Sequence, residues 1–159
     1  PEDIRVRVVE NAAPDFHARY DAKKRTYKYF ISLLPTAVNR HFRWIILDRI
    51  DIESMQKAAD LLIGSHDFKS FCSTQSDTDN FKCDLLKANF NLNGSELIFE
   101  VQANRFLHNM VRSIVGTLVE IGRKKFQVED IQGILEKQER TAAGPTAPPA
   151  GLFLYKVEY

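Results

Sequence analysis

The stretch from Arg105 to Arg123, RFLHNMVRSIVGTLVEIGR, constrains the fold more than any other. At about 3.6 residues per turn, Phe106, Leu107, Met110, Val111, Ile114, Val115, Leu118 and Val119 share one broad apolar arc. The spacing predicts a helix over 105–123 buried against a sheet. Arg105, His108, Arg112 and Arg123 follow one another near its polar edge, at helical spacing. Two readings of that edge stand side by side. The arginines lay their stems on the core and hold their heads in water, or a guanidinium beside a cleft meets a carboxylate or phosphate.

The rest of the chain supplies the sheet. Arg5 to Glu10 alternates polar and apolar residues and reads as a half-buried strand. Lys24 to Leu34 is rich in aromatic and β-branched residues and stops at Pro35. In that strand Arg25, Tyr27, Tyr29 and Ile31 share one face, and Lys24, Thr26, Lys28 and Phe30 the other. Asp51 is placed to cap an amphipathic helix that Gly64 would end. His66 to Asn80 reads as a long polar loop of mobile or functional character. Asp84–Leu92 and Glu96–Ala103 alternate around Asn93-Gly94, a hairpin signal. A shorter helix from about Val128 to Gln138 follows, then a Pro/Ala/Gly loop and a closing strand, LFLYKVEY.

Hairpin strands with helices in separate insertions indicate an α+β fold: a mixed, mostly antiparallel sheet with helices packed on one face. With 159 residues, 44% of them hydrophobic and 27% charged, the chain suits one domain with a real core. A formal charge of +1 does not announce a nucleic-acid binder, so any anion site must come from local clustering. No apolar run approaches the ~20 residues that span a bilayer, which sets the expectation of a cytoplasmic protein without membrane association. The sequence starts with PEDIRVRVVE and lacks an initiator methionine, the mark expected of a piece of a longer chain. Cys72 and Cys83 have neither CxxC spacing nor a neighbouring histidine at ligand distance, so they read as reduced structural thiols, and no metal is expected.

Four blocks, in order, carry a resemblance. They are PEDIRVRVV with FHARYDAKKRTYKYFI (Phe16–Ile31), GSHDFKSFC (Gly64–Cys72), ANRFLHNMVRSIVGTLVEIGRKK (Ala103–Lys125) and AGPTAPPAGLFLYKVEY (Ala143–Tyr159). Together they resemble the C-terminal half of a TruA-type tRNA pseudouridine synthase. The resemblance implies isomerisation of uridine to pseudouridine in the tRNA anticodon stem-loop, without cofactor or metal, by a homodimer. It places the nucleophilic aspartate in an Arg-Thr-Asp-Ala-Gly motif of an N-terminal domain, and no such motif occurs in this sequence. It assigns the base-contacting tyrosine to Tyr27, the basic partner of the nucleophile to Arg112, and an apolar wall of the uracil pocket to Leu152. His17, Arg19, Arg25, Lys28, Arg105 and His108 are the candidate phosphate or sugar contacts. Two departures stand out: Cys83, where many members carry arginine, with Lys82 beside it, and the poorly matched segment Ser73–Asn80. The alternative function is a non-catalytic RNA-binding or interaction domain.

Overall fold

The computed structural model describes residues 2–159. Six strands form one sheet: β1 (Lys24–Ser32), β2 (Trp44–Ile45), β3 (Gly64–Asp67), β4 (Lys82–Asn93), β5 (Glu96–Ala103) and β6 (Leu152–Glu158). Three helices join them: α1 (Ile52–Asp60), α2 (Met110–Gly122) and α3 (Asp130–Lys137). Strands run in the order β2-β1-β5-β4-β3, and β6 pairs with β1 along the edge it shares with β2. Among the described residues only the two-residue pairing of β1 with β2 is parallel; the other ladders are antiparallel. This is the α+β architecture the patterning predicts.

Register decides what each side chain faces. Tyr27, Tyr29 and Ile31 stand opposite Val101, Phe99 and Leu97, and those three β5 residues are opposite Ala88, Phe90 and Leu92 of β4. This face carries the buried core, and the helices pack on it. The opposite face presents Lys28, Glu100 and Lys87 side by side; Glu100 accepts from Lys87 at 2.7 Å and lies 3.5 Å from Lys28. Glu100 is held below the usual carboxylate range chiefly by its bond to Lys87. One hairpin detail differs from expectation. Asn93 pairs with Glu96, so the turn residues are Gly94 and Ser95, and Gly94 alone takes a positive φ of 59°. Glycine at the first central position suits a two-residue hairpin turn.

Helix α2 is buried almost all round, as three different neighbours require. The sheet covers its apolar arc. Its C-terminal end meets α1, where a Cβ on Gly122 would stand 2.7 Å from Met55 Sδ. The segment Ala143–Ala147 covers the third side. A Cβ on Gly116 would lie 1.7 Å from the Pro145 carbonyl oxygen, so only glycine admits this approach. Thr117 Oγ1 accepts from Gly144 N at 2.9 Å, and Ala147 N donates to the Arg112 carbonyl at 3.0 Å.

Four local expectations are corrected. The helix starts at Met110 and not at Arg105, because Asn109 takes a left-handed φ of 62° that an α-helix cannot pass through. Gly64 does not end α1, which closes at Leu61; with φ of 117° Gly64 opens β3. The loop after it is shorter than expected, since His66 and Asp67 pair with Cys83 and Lys82, and Phe68, Ser70 and Phe71 are fully buried. Arg5–Glu10 forms no strand: among the described residues it has no ladder partner, and Val6 and Val9 are 76% and 86% exposed. Alternation selects a strand only where a neighbour supplies hydrogen bonds. The Asp51 cap, accepting from Ser54 N at 3.2 Å, agrees with expectation.

Gly116→Ala should lower the unfolding free energy by about 1–3 kcal/mol through overpacking against Pro145. Urea denaturation of the two proteins measures it.

Candidate functional site

At the start of β1 a cleft of about 610 Å³ opens between the segment Ala18–Ala22, the turn Asn104–Phe106 and β6. Arg19, Tyr20, Arg25, Tyr27, Arg105, Phe106, Leu154 and Val157 are among its lining. Asn104 builds the turn: its Oδ1 accepts from Asp84 N at 2.9 Å and its Nδ2 donates to Asp84 Oδ2 at 2.8 Å. Phe106 is thereby set edge-on to Tyr27, with ring centroids 5.1 Å apart and planes at 86°. Burial raises the Tyr27 hydroxyl above its ordinary value, and the charge of Arg25 pulls the other way. Tyr27 therefore presents a neutral hydroxyl and a rigid aromatic edge at neutral pH.

Arg25 lines the cleft but already has partners. Its Nη1 donates to the carbonyls of Ala22 at 2.5 Å and Asn104 at 2.6 Å, and its Nη2 to that of Arg19. The guanidinium ties the entering chain to the end of β5. It fixes one wall and lends positive potential while its donors stay on backbone oxygens.

Arg112 stands on the first turn of α2, beside the next rung of β1. Its Nε donates to Ala147 O at 2.7 Å and its Nη1 to Asn109 Oδ1 at 3.2 Å. Tyr29 is fully buried and donates to Pro148 O at 2.7 Å; its hydroxyl is pushed far up by burial, with Arg112 opposing. Leu152 faces Tyr29 across the β1–β6 ladder, as Leu154 faces Tyr27. Tyr27 and Tyr29 point the same way about 7 Å apart along β1. The tyrosine–arginine pair and Leu152 are thus carried on one side of the sheet, on adjacent rungs.

The other candidates divide. Arg19 and Arg105 line the cleft. His17 is exposed just outside it; its Nδ1 accepts from the backbone N–H of Arg19 at 3.1 Å and of Tyr20 at 3.3 Å. His108 is exposed before α2, and its carbonyl accepts from Ser73 N at 2.9 Å. Lys28 leaves the opposite sheet face, next to Glu100 and 3.6 Å from the Tyr155 ring centroid, so it does not share the cleft. The arginine row expected along the helix edge is likewise divided, because Arg123 is held by Asp48 at 2.5 Å and Glu120 at 2.9 Å. Sequence reasoning missed Tyr20, Phe106, Leu154 and Val157 as lining. Leu154 and Val157 reach the cleft only through the β1–β6 register, which no local pattern encodes.

Cys83 faces the core beneath Arg105, buried like Cys72, and both are free thiols. Burial pushes the Cys83 thiol up to about 11, against the pull of Arg105. A second guanidinium at this position would lie beside Arg105 in a buried setting. Lys82 stays exposed. No group of three or more His, Cys, Asp or Glu side chains among the described residues is placed to hold a metal ion.

Comparison with known proteins bears on this geometry. A family model described as tRNA pseudouridine synthase matches residues 58–159. The chain belongs to that family. The tRNA pseudouridine synthase A of Exiguobacterium sibiricum is 42% identical over 159 residues. Those of Moorella thermoacetica and Bacteroides fragilis are 44% and 43% identical over 161 and 160 residues. Each match covers 100% of this chain but only 64–65% of the relative. About a third of each pseudouridine synthase relative therefore has no counterpart in these 159 residues.

The buried thiol gives a pH signature. The unfolded Cys83 titrates near the ordinary 9.0 and the folded one near 11. The folded state keeps its proton longer, so its stabilising effect is complete below pH 9 and is lost as pH rises toward 11. Stability should fall across that window, and Cys83→Ala should flatten the slope in denaturation curves recorded from pH 8 to pH 11.

Proposed function

We propose that this chain is the C-terminal domain of a two-domain tRNA pseudouridine synthase, supplying one side of the cleft in which a uridine of the anticodon stem-loop is isomerised. The observation that carries the proposal is Arg112, held rigidly beside Tyr29, one rung along β1 from Tyr27, with Nη2 unpaired among the described residues. A permanently charged guanidinium with a free donor is suited to keep a carboxylate ionised and aimed. The nucleophilic aspartate comes from the part of the full-length protein outside this chain. The relatives' additional third of length supports that reading.

Isomerisation breaks N1–C1′, turns the base and rejoins it through C5. The uridine must leave its stack, and extruded bases are received on aromatic or apolar walls. Tyr27 supplies the stacking surface, worth about 1–3 kcal/mol per base, and Leu152 closes the pocket. Arg19 and Arg105, exposed or half-exposed around the cleft, take backbone phosphates, while Arg25 secures the wall that carries them. His17 and His108 lie at the rim as sugar or phosphate contacts. Lys28 reaches RNA only if the substrate also passes along the opposite sheet face. The exposed apolar residues of the N-terminal segment, Ile4, Val6, Val8 and Val9, fit a strand completed by the upstream domain. No helix among the described residues is long and apolar enough to cross a membrane, and we place the enzyme in the cytoplasm as a homodimer.

Tritium release from C5-labelled uridine in an anticodon stem-loop RNA tests the proposal. The full-length protein should be active and its Arg112→Ala variant slower by on the order of 10²–10³-fold. The 159-residue chain alone should be inactive. Activity in that chain would place the nucleophile among its own carboxylates and refute the split site.

A further inference from the structure

Asn109 occupies the N-cap of α2 in a left-handed conformation, φ 62° and ψ 3°. Two facts about it do not follow from helix formation. Glycine adopts this conformation without steric penalty, yet the position carries a side chain. Asparagine at an N-cap normally bonds a backbone N–H in the first turn, whereas this amide makes no capping bond. Its Oδ1 accepts from Arg112 Nη1 at 3.2 Å instead.

The second support of Arg112 comes from the other direction. Ala147 O takes Nε at 2.7 Å, and Ala147 N returns a bond to the Arg112 carbonyl at 3.0 Å. That segment is itself immobilised. Pro145 is seated on Gly116, Gly144 is bonded to Thr117, and Arg140 donates to Gly144 O at 2.9 Å and to Thr146 Oγ1 at 2.8 Å. A guanidinium held through Nε and Nη1 has its plane fixed, and its Nη2 edge is left as the free donor.

We infer that Asn109 is a positioning residue: its strained backbone aims the side-chain amide at Arg112, and together with the Ala147 carbonyl it fixes the guanidinium plane for the incoming carboxylate. The inference rests on the proposed role of Arg112. An arginine held only by Ala147 would rotate about its terminal bonds, and misorientation of a catalytic partner lowers the rate of the chemical step more than it weakens substrate binding.

The test uses the full-length protein, with kcat and KM for tritium release from an anticodon stem-loop RNA and Tm for each variant. Asn109→Gly keeps the left-handed backbone and removes the acceptor. Its kcat should fall about tenfold, as expected for loss of one hydrogen bond to a charged group, with KM unchanged and Tm equal or higher. Asn109→Asp keeps the acceptor and the conformation but sets a carboxylate against the guanidinium that competes with the incoming one, so its kcat should stay at or below that of Asn109→Gly. A wild-type kcat for Asn109→Gly would overturn the inference. So would parallel changes in KM and Tm, which would make the residue merely structural. Arg112→Ala separates the two levels: if it retains full activity, the catalytic reading itself fails; if it is inactive while Asn109→Gly is normal, only the positioning role fails.

Discussion

The seat of Pro145 on Gly116 is the contact on which the rest of the molecule depends. It lets an extended, proline-rich segment lie directly on a helix, closer than any side chain would permit. From that contact the chain reaches Arg112 through Ala147, and Tyr29 through the Pro148 carbonyl. It then enters β6 beside β1, where Gly151 is pressed against the Tyr29 ring and the Phe30 carbonyl. The segment thus covers the helix, orients the arginine and delivers Leu152 and Leu154 to the sheet. Moving it by an ångström would disturb all three at once, since packed interiors transmit displacement rather than absorb it.

The local use of charge explains why a nearly neutral protein can still hold a defined cationic centre. Arg25 is bound to three carbonyls, Arg123 to two carboxylates, and Arg140 to the loop that supports Arg112. Glu120, 7% exposed, is balanced by Arg123 and by Lys125 at 2.8 Å. These groups act as fasteners. Arg112 differs because its two bonds leave one edge open, and because both acceptors, an amide and a carbonyl, are uncharged and do not neutralise it.

Much of the fold was legible in the sequence because it rests on periodicity. Alternation located β1, β4 and β5 and correctly assigned Arg25, Tyr27 and Tyr29 to one face; apolar spacing located α2 and α3, and turn chemistry located the hairpin. The failures share a physical cause. Arg5–Glu10 has the strand pattern but no partner within the described residues, and hydrogen-bonded neighbours are not written in a segment's own residues. Arg105 and His108 continue the helical spacing, yet one left-handed residue, Asn109, separates them from α2, and asparagine does not announce which conformation it will take. His66–Phe71 looked like a polar loop, but its two phenylalanines bury it. The family resemblance named Tyr27, Arg112 and Leu152; alternation already set Lys28 on the other face, and only coordinates reveal that Leu154 and Val157 line the cleft.

A crystal structure of the full-length protein with an anticodon stem-loop RNA is the most direct measurement. An extruded uridine against Tyr27 and Leu152, with Arg112 Nη2 bonded to a carboxylate from outside residues 1–159, is the predicted result. Arg112 paired to a carboxylate of this chain, or a cleft at Tyr27 closed to the base, would contradict a site divided between two domains.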